Sequence, residues 1–419
     1  MYKKNIIRNL IVIFIGVLLF FSAIRTTDGN RRANITIQEI EAAKLQEENA
    51  RLEAERKAIE EQESLAREAA KSKDFTIVMV GDILLHDPLI KNYKVGDTYD
   101  FSPMFWHTKD TIQSADLAIA NQEVIIGGEN LRVTGYPTFN APFELADALV
   151  SAGFDVICHG TNHALDRGGI GIKNCLNNWR EKYPDIRVLG IHDSEPVNLD
   201  NNIMTITNCD GVEMTVAVLN YTYGTNGIAL PNDMPWAVDM LKEETVISQI
   251  KELKSKADFI IVAPHWGTEY RLTPDSYQEK WTKIFLENGV DLVLGTHPHV
   301  CEPIEFIEDE NGNKMLIYYS IGNFINWTGG VGAGVANRML GGMAKVKITK
   351  NEEGCFITDY EVESLISHVV SSPGECTVYP LSEYTPELAS SNEIRNNDAN
   401  FSYEYITNLA NDIFKDKWR

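Results

Sequence analysis

From Phe75 onwards, short apolar runs alternate with longer segments in which apolar residues recur at helical spacing. The short runs are rich in Val and Ile, which favours buried strands. The predicted strands are residues 76–80, 116–120, 154–158, 215–219, 259–263, 291–294, 315–319, 344–348 and 356–363. The predicted helices are residues 142–152, 170–183, 239–256 and 276–288. This alternation predicts an α/β domain.

Polar side chains that can bind metals follow the ends of several predicted strands. In chain order they are Asp82, Glu123, Asn162 with His163, His265, and the pair His297 and His299. Ligands of open α/β sheets bind beyond the carboxyl ends of the strands, so we expect these side chains to converge. His297 and His299 stand two positions apart, just behind the apolar run that ends at Leu294. We expect the strand to break into a loop there, in which both imidazoles can reach one metal centre.

The N-terminus has the pattern of a membrane-targeting segment. An apolar run covers residues 10–24 and follows Lys3 and Lys4. It fits either an uncleaved signal-anchor helix or a cleaved signal peptide. Phe21 stands three positions back from a cleavage site after Ala23, where a small residue is expected, so we favour the anchor. The basic start predicts a cytoplasmic N-terminus and a globular domain on the extracellular side of the cell membrane.

Residues 35–73 are rich in Glu, Ala, Lys, Arg and Gln, which predicts a long solvated helix. Leu45, Leu52 and Ile59 recur every seven residues, as in a coiled coil. The intervening positions are polar, whereas a stable coiled coil has apolar residues there. We therefore favour a stalk that lifts the domain off the membrane, with weak self-association through the stalk as the alternative.

Composition limits the partners of this chain. Its 419 residues are 44% hydrophobic, enough for one large core or two modest ones. The formal net charge of −22 argues against nucleic acid, because that affinity comes largely from Lys and Arg on phosphates. The six cysteines form no CxxC pair, so neither a zinc ribbon nor a disulfide framework is indicated.

The residues at the strand ends favour a metal centre. Two carboxylates, an amide and three imidazoles, without a thiolate, suit Mn, Fe, Zn or Mg rather than a structural zinc site. Each residue alone has an ordinary explanation, such as a turn for Asp82. Their conjunction at successive strand ends favours one or two divalent metal ions. A pair of such ions forms a clamp for phosphoryl chemistry.

Six motifs give the chain a resemblance to a known family. They are Gly81-Asp82, Ala120-Asn121-Gln122-Glu123, Asn162-His163-Ala164-Leu165-Asp166, His265-Trp266-Gly267-Thr268-Glu269-Tyr270, Gly295-Thr296-His297-Pro298-His299-Val300 and Tyr319-Ser320-Ile321-Gly322-Asn323-Phe324. In this order they resemble the poly-γ-glutamate capsule synthesis proteins, the CapA family, from Phe75 to about Ile366. The domain of that family is similar to the calcineurin-like metallophosphoesterases and the 5′-nucleotidases.

The resemblance implies a fold and a domain order. Residues 75–370 would form an α/β calcineurin-like metallophosphoesterase sandwich, in which two β-sheets are flanked by helices. Residues 1–30 would be the cytoplasmic N-terminus and the transmembrane signal anchor of a single-pass protein. Residues 31–74 would be the charged helical stalk, and residues 371–419 a polar C-terminal extension.

The resemblance also implies a role for each polar residue. The metal ligands would be Asp82, Glu123, Asn162, His265, His297 and His299. Glu123 would bridge two metals, with Asp82 and His299 on the first and the other three ligands on the second. His163 would contact phosphate and protonate the leaving oxygen, and Asp166 would orient His163.

Three positions depart from the family pattern. Leu84 stands where such phosphoesterases carry the His of Asp-x-His, so the first metal would lose an imidazole. His86 could substitute for it, but we expect His86 to be an exposed surface residue. Glu302 stands where Gln is often found, and Asn140 where a basic residue is often found. The latter change would remove an anion contact.

Other candidates carry weaker signals. The histidines without matching partners are expected on the surface or in the core, and they are His107, His159, His192 and His368. Trp266 and Tyr270 are expected to pack beneath His265 rather than line a pocket. Residues 329–334 are rich in Gly but lack the Lys-Ser/Thr of a phosphate-binding loop, which favours a mobile loop near the site.

Two functions remain open at the level of the sequence. The first is a membrane-tethered, metal-dependent hydrolase in the biosynthesis or export of a poly-γ-glutamate capsule. The second is an accessory or scaffold subunit of a capsule assembly complex, which binds an anionic polymer or capsule synthesis proteins through the metal pocket. His163 with Asp166 favours chemistry, whereas Leu84 in place of an imidazole favours binding.

Overall fold

The computed structural model describes residues 29–69, 73–195, 197–371 and 374–417. The chain divides into two compact units, Met1–Lys71 and Ser72–Arg419. The apolar run at residues 10–24, predicted as a membrane anchor, lies outside the described residues. Within the described ranges, no helix combines the length and the apolar character needed to cross a membrane.

The described part of the first unit is one long helix, Gly29–Ala69, where the sequence predicted the stalk. Leu45, Leu52 and Ile59 are exposed along it. Ion pairs of i,i+4 spacing join its solvated side chains, as between Lys57 and Glu53 at 3.3 Å. The predicted helix is confirmed, and weak self-association through it stays a prediction.

The second unit contains two large mixed β-sheets, a small two-stranded sheet and the helices that flank them. Its strands are β1 (Asp74–Ile83), β2 (Lys94–Val95), β3 (Thr98–Tyr99), β4 (Leu117–Asn121), β5 (Val156–Cys158), β6 (Arg187–Leu189), β7 (Ile203–Thr207), β8 (Glu213–Thr222), β9 (Phe259–His265), β10 (Leu292–Leu294), β11 (Ile304–Glu308), β12 (Lys314–Tyr318), β13 (Asn323–Ile325), β14 (Leu340–Asn351), β15 (Gly354–Val370) and β16 (Glu375–Pro380). The α-helices are Asp87–Asn92, Lys109–Gln113, Glu144–Ala152, Gly168–Lys182, Glu243–Lys254, Ser276–Glu287, Pro386–Ser391 and Tyr403–Phe414. All nine strands and four helices predicted from the apolar pattern are present. The mixed α/β fold with two sheets is therefore confirmed.

The larger sheet has the order β16-β15-β14-β1-β4-β5-β6, and β13 also pairs with β1. β1, β4, β5 and β6 run parallel, whereas β14 to β16 continue the sheet in antiparallel pairs. β13 pairs in parallel with the carboxyl end of β1 and sets Asn323 opposite Asp82. The parallel half thus brings the ends of β1, β4 and β5 to one edge.

The smaller sheet has the order β11-β12-β10-β9-β8-β7. Its central strands β8, β9, β10 and β12 run parallel. β9 is buried on both faces: Ile261 belongs to a core shared with β1 and β4, and Ile260 to a second core. This second core is filled by the helices Glu243–Lys254 and Ser276–Glu287, through residues such as Ile250 and Phe285. Alternate residues of a strand face opposite sides of its sheet. The smaller sheet therefore packs against the larger sheet on one face and against the two helices on the other.

Candidate metal centre

The first of two ligand clusters joins Asp82, Glu123 and His299, all of them buried. His299 Nδ1 lies 3.1 Å from Asp82 Oδ2, and His299 Nε2 lies 3.7 Å from Glu123 Oε1. One ligand atom from each residue lies within 4.8 Å of the others. Atoms at this spacing can coordinate one divalent cation.

Asp82 is held by contacts from both sheets. The parallel pairing of β1 with β4 sets Asp82 opposite Asn121, whose Nδ2 donates to Asp82 Oδ1 at 2.7 Å. The backbone N–H of His297, in the loop after β10, donates to Asp82 Oδ2 at 3.2 Å. β13 approaches β1 so closely that a Cβ at Gly81 would lie 1.9 Å from Gly322 O. Only Gly fits at position 81 beside this backbone.

The second cluster joins Glu123, His265 and His297, which are also buried. His265 Nε2 lies 3.7 Å from Glu123 Oε1 and 2.9 Å from Asn162 Oδ1. On the other side of the ring, His265 Nδ1 lies 3.0 Å from Thr296 Oγ1. The structure therefore brings Asn162 to the imidazole of His265.

The segment after β10 turns so that both of its histidines face the site. β10 ends at Leu294, and His297 and His299 have φ angles of 100° and 58°. L-residues rarely adopt these left-handed angles, and such conformations concentrate at functional sites. The two ring centroids lie 5.7 Å apart. The predicted break of the strand into a loop is confirmed.

Glu123 is the residue that the two clusters share. It is fully buried, and neither of its carboxylate oxygens has a hydrogen-bond partner among the described residues. His297 Nδ1 is likewise buried without a partner. A buried carboxylate without a partner is costly, because burial removes its hydration. A divalent cation on each side of Glu123 would satisfy both oxygens, so these residues fit one or two metal ions.

Burial and the nearby charges shift the pKa values of the ionisable side chains in the two clusters. Burial and the charge of Glu123 raise the pKa of Asp82. Burial lowers the pKa of His299, but the charges of Glu123 and Asp82 outweigh burial and raise it to about 9. Burial and the imidazoles of His265 and His299 hold the pKa of His297 well below its ordinary value. His297 is therefore neutral, which is the form of imidazole that binds metals.

His163 lies beside the clusters, and Asp166 orients its ring. His163 Nδ1 is 2.7 Å from Asp166 Oδ2, the same oxygen that accepts the Phe139 N–H at 2.6 Å. Burial lowers the pKa of His163, but the hydrogen bond to Asp166 and the charge of Glu123 raise it above its ordinary value. With Nδ1 bonded to Asp166, Nε2 is the nitrogen left to exchange a proton with a substrate.

The structure corrects the expectation for His86. We expected an exposed surface residue, whereas His86 is half-buried and packs edge-on against Phe139, with ring centroids 5.3 Å apart. His86 and His299 line the same cleft. Burial and the charge of His299 lower the pKa of His86 to about 4. Among the described residues, His86 belongs to neither cluster, and Leu84 is buried where an imidazole was expected.

Other sequence expectations have clear structural outcomes. Asn140 binds its own loop, accepting from Gly127 N–H at 2.9 Å and donating to Gly128 O at 2.8 Å. Trp266 packs beneath the site, and its Nε1 donates to Tyr319 O at 2.9 Å. Within the described ranges, the remaining histidines lie outside both clusters, and they are His107, His159, His192 and His368.

A cleft of about 680 Å³ opens beside His299 and Asn323. Tyr270 lines this cleft, so the expectation that it only packs beneath His265 is wrong. Gly329 and Gly330 also line it, which places the glycine-rich loop next to the site as expected. The mobility of that loop stays a prediction.

Several residues at the site had no role in the sequence-based interpretation. Asn323 Oδ1 lies 3.1 Å from His299 Nδ1, and Asn226 Oδ1 accepts from Asn162 Nδ2 at 3.2 Å. Glu269 forms a third possible ligand group with His297 and His299. Asn323 and Glu269 lie inside the quoted motifs, so the motifs contained a signal for them. Asn226 lies in a loop without a motif, and only the fold brings it to the site.

The comparisons with known proteins agree with these motifs. A family model described as "Bacterial capsule synthesis protein PGA_cap" matches residues 76–328. The chain is similar to the PGA biosynthesis protein CapA of Bacillus subtilis (strain 168), with 32% identity over 189 residues, 44% of this chain and 47% of that protein. It is also similar to the capsule biosynthesis protein CapA of Bacillus anthracis, with 28% identity over 272 residues, 62% of each chain. The matches thus span 47% and 62% of the lengths of these relatives.

Among solved structures, the chain is similar to the calcineurin-like phosphoesterase YfkN from Bacillus subtilis. The TM-score is 0.39 and the sequence identity is 14%. The match covers 80% of this chain and 100% of that one.

Proposed function

The chain belongs to the family of bacterial capsule synthesis proteins PGA_cap, and on that premise we propose that it is a divalent-metal-dependent hydrolase of capsule biosynthesis. Its substrate would be a phosphoester or acyl bond in an anionic capsule polymer, such as poly-γ-glutamate, or in a precursor of that polymer. The observation that carries this proposal is the buried Glu123, which is shared by two ligand clusters and whose carboxylate oxygens accept no hydrogen bond from the described residues.

The ligand set supports metal binding at these clusters. Asp82, Glu123 and His299 would hold one ion, and Glu123, Asn162, His265 and His297 the other. Bound divalent ions supply Lewis-acid polarisation of a phosphoryl or carbonyl oxygen and lower the pKa of water. Imidazole and carboxylate donors without thiolate favour Mn, Fe, Zn or Mg.

His163 would handle the proton of the leaving group. Asp166 accepts from Nδ1, so Nε2 can donate to an oxygen or nitrogen that leaves the substrate. The carboxylate fixes the ring and favours the protonated form, as its effect on the pKa of His163 indicates. Asn226 Nδ2 lies 3.4 Å from both ring nitrogens and limits the movement of the ring.

We place the domain outside the cell, on a membrane-anchored stalk. The support is the apolar run at residues 10–24 behind a basic N-terminus, together with the helix Gly29–Ala69. The two-sheet domain would be a calcineurin-like metallophosphoesterase sandwich. The motifs support this assignment, because they lie at the carboxyl ends of β1, β4, β9 and β10.

A second candidate function is a non-catalytic accessory subunit that binds an anionic polymer or capsule synthesis proteins through this pocket. One observation favours it: buried Leu84 stands in the position of an imidazole, so the first cluster contains a single histidine. With a weakened first metal site, the pocket would still bind the anionic polymer but would not hydrolyse it.

The test of the proposed function uses the purified full-length chain. It would be loaded separately with Mn, Zn, Fe and Mg and assayed on a phosphomonoester, a phosphodiester and poly-γ-glutamate. His163→Gln is the catalytic variant. His192→Gln is the matched control, since His192 pairs with Asp239 outside both clusters.

We expect metal-dependent turnover that falls by roughly 10²- to 10⁴-fold in His163→Gln, with its metal content unchanged. His192→Gln should match the wild type. Bound metal without turnover on any substrate would favour the accessory role. Absence of bound metal in the wild type would refute both functions at this site.

A further inference from the structure

The cleft beside His299 has the dimensions and lining of a small-molecule site. Its volume of about 680 Å³ lies within the usual range for ligand pockets, roughly 300–1,000 Å³. Tyr136, Phe139 and Trp327 give it apolar walls, and His299 and Asn323 form its metal-facing end. A substrate bound at the metal centre would therefore extend into this cleft.

Arg338 is the one Lys or Arg side chain among the described residues that line this cleft. Its Nη1 donates to Thr328 Oγ1 at 2.9 Å. Within the described chain, no carboxylate lies within ion-pair distance of Arg338, and its Nε is buried without a partner. Nη2 is neither hydrogen-bonded to a described residue nor buried. An arginine held this way retains donors for a ligand.

Tyr270 links the guanidinium of Arg338 to the metal centre. The guanidinium carbon lies 3.5 Å from the centroid of the Tyr270 ring, and that ring lies 6.0 Å from the ring of His299. The backbone N–H of Tyr270 donates to Pro298 O at 2.7 Å, which fixes Tyr270 against the turn that carries both histidines. Stacking on an aromatic face holds a guanidinium in place without using its donors.

The backbone of Arg338 is tied to the same residue that contacts His299. Asn323 Nδ2 donates to Arg338 O at 3.0 Å, while Asn323 Oδ1 lies 3.1 Å from His299 Nδ1. Gly330 leaves room for the side chain, since a Cβ there would lie 3.0 Å from Arg338 Nη1. The position of the guanidinium relative to the candidate metal ligands is thus defined by backbone and ring contacts.

We propose that Arg338 binds an oxyanion of the substrate, a carboxylate or a phosphate, in the cleft beside the metal centre. The inference rests on the proposed function for the identity of the substrate, and on the geometry of the cleft for the residue. The planar fork of Arg matches the oxygens of carboxylate and phosphate better than a Lys ammonium does. Arg338 would supply the anion contact that Asn140 does not provide, because the Asn140 side chain is bonded to its own loop.

Acidic groups limit which substrates fit. Asp87 and Glu269 also line the cleft. Asp87 Oδ1 accepts from Gly135 N–H at 2.8 Å, and Glu269 lies in a ligand group with His297 and His299. An anionic substrate would therefore be oriented with its oxyanion at Arg338 and away from these carboxylates.

The test measures anion binding directly and does not use turnover. Inorganic phosphate and glutarate would each be titrated calorimetrically into the full-length protein, both metal-free and saturated with Mn²⁺. The variants are Arg338→Met, which keeps an apolar stem, and Arg338→Lys, which keeps the charge but loses the fork. Arg271→Met is the control, because exposed Arg271 is a neighbouring cation outside the cleft lining.

We expect Arg338→Met to weaken binding of at least one anion by roughly 10- to 100-fold, with Arg338→Lys intermediate. Metal content, thermal unfolding temperature and the Arg271→Met control should match the wild type. Loss confined to glutarate assigns a carboxylate to Arg338, and loss confined to phosphate assigns a phosphate. If the Arg338→Met variant binds both anions as tightly as the wild type does, the proposal is overturned. Failure of the wild type to hydrolyse any substrate would contradict the proposed function and leave this result unaffected.

Discussion

Glu123 shows how one side chain can belong to two clusters. It follows β4 directly, so the parallel pairing of β1, β4 and β5 fixes its backbone in the centre of the site. His265, at the end of β9, and His299, in the loop after β10, both lie 3.7 Å from the same carboxylate oxygen. Among the described residues, neither carboxylate oxygen of Glu123 accepts a hydrogen bond.

Asp166 would contribute to turnover by orienting the ring of His163. Asp166→Asn removes the charge that favours protonated His163 but keeps an oxygen that can accept the Phe139 N–H. We expect turnover to fall by roughly 10- to 100-fold, because the ring loses its orientation and its preference for Nδ1–H. Metal content should not change. Turnover equal to that of the wild type, measured on any substrate that the wild type cleaves, would show that His163 does not need this partner.

Glu302 predicts a pH dependence of stability outside the metal clusters. Glu302 Oε2 accepts from Gln278 Nε2 at 2.5 Å, and Oε1 is buried with no hydrogen-bond partner among the described residues. Burial raises the pKa of Glu302 to about 8, against an ordinary value of 4.5. Between these values the folded chain keeps a proton that the unfolded chain releases. Folding stability is therefore lost as pH rises through this window.

Glu302→Gln should remove this dependence. We expect the free energy of unfolding of the variant, relative to the wild type, to grow by up to about 1.4 kcal/mol per pH unit within the window. Denaturant unfolding at about pH 5 and about pH 8 measures it. Exposed Glu310→Gln is the control, and its difference from the wild type should not change with pH. A constant difference for Glu302→Gln would mean that Glu302 is ionised in the folded chain.

The convergence of the candidate ligands could be predicted because each one lies beyond the end of an apolar strand and within a short motif. Some of the residues around them could not be predicted. Arg338 lies in the 3₁₀ turn Val335–Met339, far along the chain from His299, and the two meet in the fold through contacts of each with Asn323. His86 was misjudged because burial by Phe139, from a distant loop, leaves no local pattern.

At the scale of elements, the close packing of β1 against β13 is the feature that positions Asp82. Gly81→Ala would place a Cβ 1.9 Å from Gly322 O, so the two strands must separate. We expect a loss of about 1–3 kcal/mol in the free energy of unfolding, as for other overpacked cores. Gly224→Ala is the control, since a Cβ there meets no atom within 4 Å. Equal unfolding midpoints for the two variants in denaturant would contradict this tight fit.

The apolar pattern predicted the central strands and failed at the edges of the sheets. β8, β9 and β10 are buried on both faces and therefore carry continuous apolar runs. Edge strands such as β7 and β11 carry exposed polar positions, so they resemble loops in sequence. β15 extends from Gly354 to Val370, well beyond the predicted residues 356–363, because its ends pair with β14 and β16.

At the scale of the whole molecule, the account predicts a domain outside the membrane. Cys209 is the exposed free cysteine of the described chain, whereas the other five are buried or partly buried. A membrane-impermeant maleimide added to intact cells should therefore label the protein at Cys209. The Cys209→Ser variant should lose this labelling, and lysed cells give the maximum signal. Labelling only after lysis would place the domain in the cytoplasm.

The net charge of −22 bears on the metal centre as well as on solubility. A polyanionic polymer is repelled by such a chain unless cations offset the charge locally. Metal ions at Glu123 and the guanidinium of Arg338 would provide that positive region at one end of the cleft. Binding of an anionic polymer should therefore depend on bound metal.

The central claim is that Glu123 is shared by two cation sites, and equilibrium binding of Mn²⁺ to the full-length chain tests it most directly. We expect two ions per wild-type chain, loss of one ion in Asp82→Asn and in His297→Gln, and weaker binding of both ions in Glu123→Gln. Exposed Glu310→Gln should bind as the wild type does. If the Glu123→Gln variant binds Mn²⁺ as tightly as the wild type does, and in the same number, Glu123 is not shared by two cation sites.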